Sequence, residues 1–409
     1  MLSAERIMQR CDALARHSEL AGGLTRVFLS PENRAANELV LGWMREAGMQ
    51  AKLDAIGNVA GRYEGDRPGL PCLMLGSHLD TVRDAGRYDG MLGVVSAIEC
   101  VAFFNAQKKR FPFGIEVFGF GDEEGVRFGT TMLGSRAVSG SLDLSVLQVR
   151  DSKGISLEQA MRDFGLAPEK LGEVKKQKRD VLAYAELHIE QGPVLEAEGL
   201  PVGVVSAING FSRLRVTLSG MAGHAGTVPM NLRRDALVAA AECITAVEQI
   251  ARTNLDVVAT VGRIEASPGA INVIPGKVVF TIDVRAPRDE LRLSCVNQVR
   301  REITAICEKR KIRIEIENLQ ELGVAQCAPW LIAQMERAVA AEGLRVRRLP
   351  SGAGHDGMAM RAIADIAMLF VRCKGGISHN PAESISAQDA AAGARVLFRF
   401  IEKFNAIPA

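Results

Sequence analysis

Histidine is scarce in this chain, with six in 409 residues, and five of the six (His78, His188, His224, His355 and His379) fall in glycine-rich or acid-rich stretches. The stretch GSHLDTVRDAGRYDG, residues 76–90, places Asp80 and Asp89 beside His78 directly after the apolar run Leu73-Met74-Leu75. A turn is served by Gly and Asp, which tolerate positive φ or cap their own backbone, and it has no need of an imidazole. GDEEG at 121–125 adds Glu123 and Glu124, ELHIEQG adds His188, and GISHN adds His379. Neutral imidazole and carboxylate without thiolate suit a borderline or harder divalent cation such as Zn, Mn, Co or Ni. His78 and His188 on one side, Glu124 and His379 on the other, and Asp89 as a bridge would serve two ions about 3.5–4 Å apart. Asp80 is placed to accept the proton on the second ring nitrogen of His78, as carboxylates behind a ligating histidine do. Glu123 then stays free as general base for a water whose pKa a bound metal lowers toward about 7. Taken singly, each histidine is more often a hydrogen-bonded structural residue, and an EE pair an acidic turn or helix start. Their shared placement is what argues for chemistry.

That placement follows from the elements. Apolar runs at 71–76, 114–120, 181–189 and 366–371 alternate with amphipathic segments at 32–47, 90–107, 329–342 and 386–404, which predicts an α/β domain with a mainly parallel sheet. Sites in such sheets form beyond the carboxyl ends of the strands, and His78, the Glu123-Glu124 pair, His188 and His379 each end or follow one of the four runs. Between 211 and 325 the rhythm changes to strands at 213–219, 257–264, 278–285 and 312–317 with helices at 231–251 and 289–310. This β-α-β-β-α-β order is the split unit of ferredoxin-like domains, and Val296, Val299, Ile303 and Ile306 supply a helical stripe. The expected organisation is a catalytic domain from 1–210 and 326–409, interrupted by a smaller domain at 211–325.

Other function classes find little support. Fifty basic against 48 acidic residues give a formal net charge of +2, so no broad field of one sign attracts nucleic acid or an anionic membrane. The first twenty residues show no signal peptide, and the most apolar window, Met91 to Phe104, is broken by Glu99 and is shorter than the roughly 20 residues a membrane span needs. Eight scattered Cys without a CxxC pair read as reduced core thiols, and the expected location is cytoplasmic. GAGHDG at 352–357 satisfies GxGxxG but lacks the acidic residue that should end a second strand about 20 residues later. No GxSxG elbow and no HExxH helix is present.

The blocks GSHLDTV, GRYDGMLG, FGDEEGVRFGTTMLGS, ELHIEQGPVLE, GMAGHAGTVPMNLRRD, GAINVIPG, SGAGHDGMAM and GISHNPAE together closely resemble the dinuclear-metal superfamily called peptidase family M20. ELHIEQG is similar to its hydantoinase/carbamoylase branch, whose members hydrolyse ureido groups. The resemblance implies His78, Asp89 and His188 at one metal, Asp89, Glu124 and His379 at the other, and Glu123 as base. It also implies a substrate shell of Gln191, His224, Asn272 and Arg285, with His224 stabilising an oxyanion and Arg285 gripping a substrate carboxylate, and an inserted domain that acts as lid and homodimer interface. Read alone, Arg285 is equally a surface partner of Asp283, and His224 and Asn272 are equally loop residues. The activity implied is cleavage of a ureido carboxylate, allantoate first, with N-carbamoyl-L-amino acids or 3-ureidopropionate as alternatives and a dipeptidase, an aminoacylase or a non-catalytic binding protein further off. Relatives carry an Arg in a GQR stretch where this chain has Gly210-Phe211-Ser212, followed by Arg213, which suggests an altered substrate contact.

Overall fold

Four apolar runs form the middle of the fold. Cys72–His78, Gly114–Phe120 and Ile366–Val371 are buried along their whole length, and Val181–Ile189 at every position but one. Strands covered on both faces read as continuous apolar runs, which is why none of these shows alternation. In the computed structural model, which describes residues 2–406, they lie side by side in the order 114–120, 72–78, 181–189, 366–371, and all run parallel. Register brings their carboxyl ends together: His78 sits opposite Phe120 and His188 opposite Phe370.

Antiparallel strands extend this parallel centre. Val59–Tyr63 pairs with Gly114–Phe120, Gln50–Leu53 lies beyond it, and Val202–Ile208 pairs with Ile366–Val371 on the other side. Gln50–Leu53 and Val59–Tyr63 have four and five residues, too few to establish a period in the sequence. Helices Pro31–Glu46, Met91–Ala106, Pro329–Ala341 and Ala387–Lys403 fall within one residue of the predicted bounds.

The chain divides into two units. One comprises the residues up to Ser206, Gln326–Leu349 and those from Ala353 onward; the other comprises Ala207–Ala325 and Pro350–Gly352. The excursion at 350–352 has a physical cause: Ser351 O accepts from Asn209 N at 2.9 Å, and Gly352 O accepts from Arg285 Nη1 at 2.8 Å. In the second unit Gly210–Ser219, Val258–Ser267, Lys277–Ala286 and Arg313–Leu322 form an antiparallel sheet in the order 313–322, 210–219, 277–286, 258–267. Helices Ala236–Thr253 and Asp289–Lys309 share its core through Ala239, Cys243, Val299 and Ile303. Along the chain the order is β-α-β-β-α-β, with a two-residue ladder pairing His224 and Val273 beside it. The first helix starts at Ala236 and not at 231, because the Asp235 side chain accepts from Leu237 N and Val238 N and caps it there.

All eight cysteines are buried and free. Among the described residues no helix is long and apolar enough to cross a membrane.

Helix Met91–Ala106 lies against the parallel strands through Gly93, where an added Cβ would stand 2.1 Å from Leu187 O and 2.9 Å from Ser77 Cβ. A backbone oxygen at that distance cannot yield, so steric overlap outweighs the roughly 0.5–1 kcal/mol of helix propensity gained. Gly93→Ala is expected to destabilise the first unit by about 1–3 kcal/mol in a urea melt followed by circular dichroism. An unchanged or raised midpoint would refute this packing.

Candidate metal centre

His78 is the last residue of its strand and His188 the last but one of its own. Both rings are buried and oriented by backbone carbonyls: His78 Nδ1 donates to Asp80 O at 3.0 Å and His188 Nδ1 to Ile189 O at 2.9 Å. A carbonyl only accepts, so the tautomer is set and both Nε2 atoms face inward. They lie 3.5 Å apart, and 3.5 and 3.0 Å from Asp89 Oδ1, a buried oxygen without a hydrogen-bond partner. Three acceptors thus converge on one point. Such a cluster is stable only with positive charge inside it.

A second cluster shares the same carboxylate. Asp89 Oδ2 lies 3.1 Å from His379 Nε2, which is 3.3 Å from Glu124 Oε1. In both His78–Asp89–His188 and Asp89–Glu124–His379 the donor atoms lie within 4.8 Å of one another, and the nitrogen and oxygen donors match the ligand chemistry of divalent transition metals. Burial opposes ionisation of Asp89, but the three imidazoles outweigh it and hold the acid well below the usual carboxylate range. In return Asp89 and Glu124 push His379 up to about 10. Burial lowers His78 and His188, yet Asp89 and the neighbouring acids lift both above the ordinary imidazole value. Asp89 and the imidazoles around it thus favour positive charge at this point.

Two residues of this centre have strained backbones. His379 and Gln191 adopt φ of 53° and 56°, a region non-glycine residues rarely occupy. Gln191 Nε2 approaches Asp89 Oδ2 at 3.2 Å and Ser378 Oγ at 3.3 Å, so it belongs to the same cluster. Gly90, at φ 72°, leaves room for the His78 ring, 2.6 Å from where a Cβ would stand. Arg26, fully buried, donates from Nε to Leu79 O at 2.8 Å and accepts no exposure to solvent, bracing the segment that follows His78.

Asp80 acts differently from its expected role. Its backbone carbonyl, not its carboxylate, takes the His78 proton; the carboxylate Oδ1 is 3.8 Å from Nδ1. The carboxylate instead accepts from Glu123 N and Glu124 N, each at 3.1 Å, and so holds the acidic turn. The reason is local: two amides at the start of that turn are free donors, and a carboxylate is the stronger acceptor for them. Glu123, with His78 and Glu124, forms a third close group but lies outside the two that share Asp89. Burial raises its carboxyl well above the usual range, and Glu124, Asp356 and Asp80 add to the effect.

Four further residues complete the centre. Glu383 accepts from Tyr88 N at 2.9 Å, Asp89 N at 3.2 Å and Ser378 Oγ at 2.9 Å, tying the loop that bears Asp89 to the one that bears His379. It stands four residues after His379 in GISHNPAE, which was the available signal. Glu186 accepts from Ser77 Oγ at 3.0 Å and Tyr184 Oη at 2.9 Å, and it lies two residues before His188, hence on the same strand face. His355 packs its ring 4.4 Å from that of His188, and burial depresses it well below the ordinary imidazole value. Burial and Glu186 raise its neighbour Asp356 well above the carboxylate range. The GAGHDG stretch therefore supplies side chains to this centre.

His224, Asn272 and Arg285 lie in the second unit. His224 pairs with Val273, Ala225 N donates to Asn272 O at 2.9 Å, and His224 Nδ1 accepts from Gly226 N at 3.0 Å, which puts the ring proton on Nε2. Phe280, Ile282 and Val284 are buried, and Arg285 faces the other side of the sheet, bound to Asp283 by Nε and Nη2 at 2.9 and 3.1 Å. Arg285 Nη1 also donates to Gly352 O at 2.8 Å, so two of the five guanidinium N–H donors stay available. The altered contact suggested at Ser212 is corrected: that side chain is 2% exposed and faces the core, bonded to Arg292, because strand alternation sends even positions inward and Arg213 outward.

A parallel sheet delivering an acid–imidazole cage to one edge, with a βαββαβ insert, defines a class that comparison with known proteins confirms: residues 74–403 match the model of peptidase family M20/M25/M40, and the chain belongs to that family. It is a hydrolase acting on carbon–nitrogen bonds. It is 42% identical over 402 residues to an N-carbamoyl-L-amino acid amidohydrolase of Geobacillus stearothermophilus, covering 98% of each chain. It is 40% identical over 425 residues to the allantoate deiminase of Arabidopsis thaliana, covering 96% of this chain and 81% of that one. Among solved structures, a hydantoinase/carbamoylase-family amidase from Burkholderia multivorans superposes with a TM-score of 0.94 at 31% identity, over 100% and 99% of the two chains.

Because Asp89 serves both clusters, Asp89→Ala is expected to weaken divalent-metal binding by well over tenfold in chelator competition, whereas His379→Ala should leave the His78–His188 site able to hold about one equivalent. Equal metal content in Asp89→Ala and the unaltered protein would dismiss the bridging role.

Proposed function

We propose that this protein is a metal-dependent amidohydrolase that cleaves the C–N bond of a ureido carboxylate, with allantoate as the favoured substrate and N-carbamoyl-L-amino acids next. The observation carrying this reading is the pair of donor clusters that share Asp89 while Glu123 stays beside them without joining either. The relatives named above, which include both substrate types, support the ureido class.

In this reading His78, Asp89, His188, Glu124 and His379 hold two divalent ions, chosen among Zn, Mn, Co and Ni by availability. Such ions, when bound, lower the pKa of water and polarise a carbonyl. Glu123 takes a proton from the water that attacks the carbamoyl carbon and returns it to the nitrogen that departs. The new C–O bond replaces the C–N bond, and the carbamic acid released breaks down to ammonia and carbon dioxide. His224 offers Nε2–H to the oxygen on which charge develops. Arg285 offers its two remaining N–H donors to the substrate carboxylate, assisted by Gln191 and Asn272. The second unit, residues 211–325 in the expected boundaries, serves as lid and homodimer contact, and the protein works in the cytoplasm.

Ammonia release from allantoate, N-carbamoyl-L-amino acids and 3-ureidopropionate, assayed side by side on Mn- or Zn-loaded protein, tests the reading; release from none of them defeats it. Glu123→Gln is expected to retain metal and lose about 10²–10⁴-fold in kcat. Near-normal turnover in that variant would remove Glu123 from proton transfer. Arg285→Ala should raise KM for carboxylate-bearing substrates by about tenfold or more, as expected for a lost charge-assisted hydrogen bond. An unaltered KM would place the carboxylate elsewhere.

A further inference from the structure

The acidic turn that follows strand Gly114–Phe120 is held from both flanks by side chains from beside the two adjacent strands. On the side of Cys72–His78, the Asp80 carboxylate takes the amides of Glu123 and Glu124. On the other side stands Asn58, the residue before strand Val59–Tyr63, and it is fully buried. Its Oδ1 accepts from Gly121 N at 3.0 Å, and its Nδ2 donates to Gly134 O at 3.2 Å and to Asp54 Oδ2 at 2.9 Å. The backbone ladder between the two strands ends at Val59 and Gly119. The Asn58 amide therefore carries the pairing past the last strand residue.

Gly121 and Gly134 close one end of a folded-back segment. Gly134 N donates to Gly121 O at 2.9 Å, Leu133 N to Asp122 O at 3.3 Å and Met132 N to Glu123 O at 3.2 Å. One side chain thus clamps both arms of the segment, two residues ahead of Glu123. Gly134 leaves the space for it, since an added Cβ would stand 2.1 Å from Asn58 Oδ1 and 2.7 Å from Gly121 N. Gly121 N can only donate and Gly134 O can only accept, so the oxygen and nitrogen of the amide have a single assignment.

The turn that carries Asn58 is closed without its side chain. Asp54 Oδ1 accepts from Ile56 N, Gly57 N and Asn58 N, and Asp54 N donates to Asn58 O. Burying an amide costs free energy unless it is bonded, and two of the three bonds made here serve the segment 121–134. The third, to Asp54, keeps the amide pointing at that segment.

Building on the reading of Glu123 as general base, we infer that Asn58 is a positioning residue for proton transfer, which holds Glu123 in place through Gly121 and Gly134. Glu124 has a further anchor, because its Oε1 faces His379 Nε2 at 3.3 Å in the metal centre. Glu123 lies outside the two clusters that share Asp89. Loss of the Asn58 amide therefore displaces Glu123 more than it loosens the metal ligands.

The test is a double-mutant cycle on kcat with Mn-loaded proteins whose metal equivalents are counted. Ammonia release is followed from allantoate or N-carbamoyl-L-leucine, whichever the unaltered protein hydrolyses faster. Asn58→Ala should keep its metal and its KM and lose about 10- to 100-fold in kcat, the scale of a reacting group misplaced by about 1 Å. In the Glu123→Gln background the same change should cost about twofold or less, because a base already removed cannot be misplaced. An unchanged kcat in Asn58→Ala, an equal fall in both backgrounds, or a metal loss in proportion to the fall overturns the inference and leaves Asn58 a support of the fold. If Asn58→Ala does not fold, Asp54→Asn takes its place, since it keeps an oxygen for the turn amides and removes only the acceptor of Asn58 Nδ2. It should give a smaller fall with the same cancellation, and equal falls in both backgrounds overturn the inference there too. Hydrolysis of neither substrate by the unaltered protein, or near-normal turnover in Glu123→Gln, defeats instead the reading of the site on which the inference rests.

Discussion

The constraint on which this molecule turns is the meeting of three lone pairs, two from imidazole Nε2 atoms and one from Asp89 Oδ1, inside a water-poor pocket. Like partial charges at such distances repel strongly where the dielectric is low. They stay together because the surroundings leave no alternative: backbone carbonyls fix each ring from behind, the parallel strands fix where each ring begins, and Glu383 fixes the loop that brings Asp89 inward. The cage is built by the fold and stabilised by the cation charge it attracts.

Around that point lies an unusual concentration of buried acid. Asp80, Glu123, Glu186 and Asp356 are all pushed toward the neutral form by burial, and each has imidazole neighbours among the causes that oppose it. An unpaired buried charge costs several kcal/mol, so an arrangement of this kind is a poor device for stability alone. Burial keeps these acids toward the neutral form until cations come near, and the apolar helix Met91–Ala106 and the strand faces supply the cohesion that the polar centre lacks.

Much of this was legible in the sequence because the central strands are long, apolar and each ends in a residue of rare type. His78, His188 and His379 stood out by scarcity, and Asp89, Glu123 and Glu124 by their glycine-flanked context. Residues whose contribution is a hydrogen bond to a backbone amide were not legible, since nothing in the letter E at 186 or 383 says which amide it meets. Asp80 shows the same limit: its closeness to His78 in sequence suggested a carboxylate–imidazole pair, and tertiary structure offered the carboxylate two better donors. The short strands at 50–53 and 59–63 and the loan of Pro350–Gly352 to the second unit depend on pairing between distant segments, which periodicity does not encode.

Strand Ile366–Val371 occupies an interior place in its sheet, between Val181–Ile189 and Val202–Ile208, although it is made long after both. During synthesis the earlier strands therefore wait with a gap between them, and His379 arrives only after the gap is filled. Contacts of such wide sequence separation form slowly, so those strand edges stay unpaired until residues 366–371 have been made, and the complete cage can form only once nearly the whole polypeptide has been synthesised.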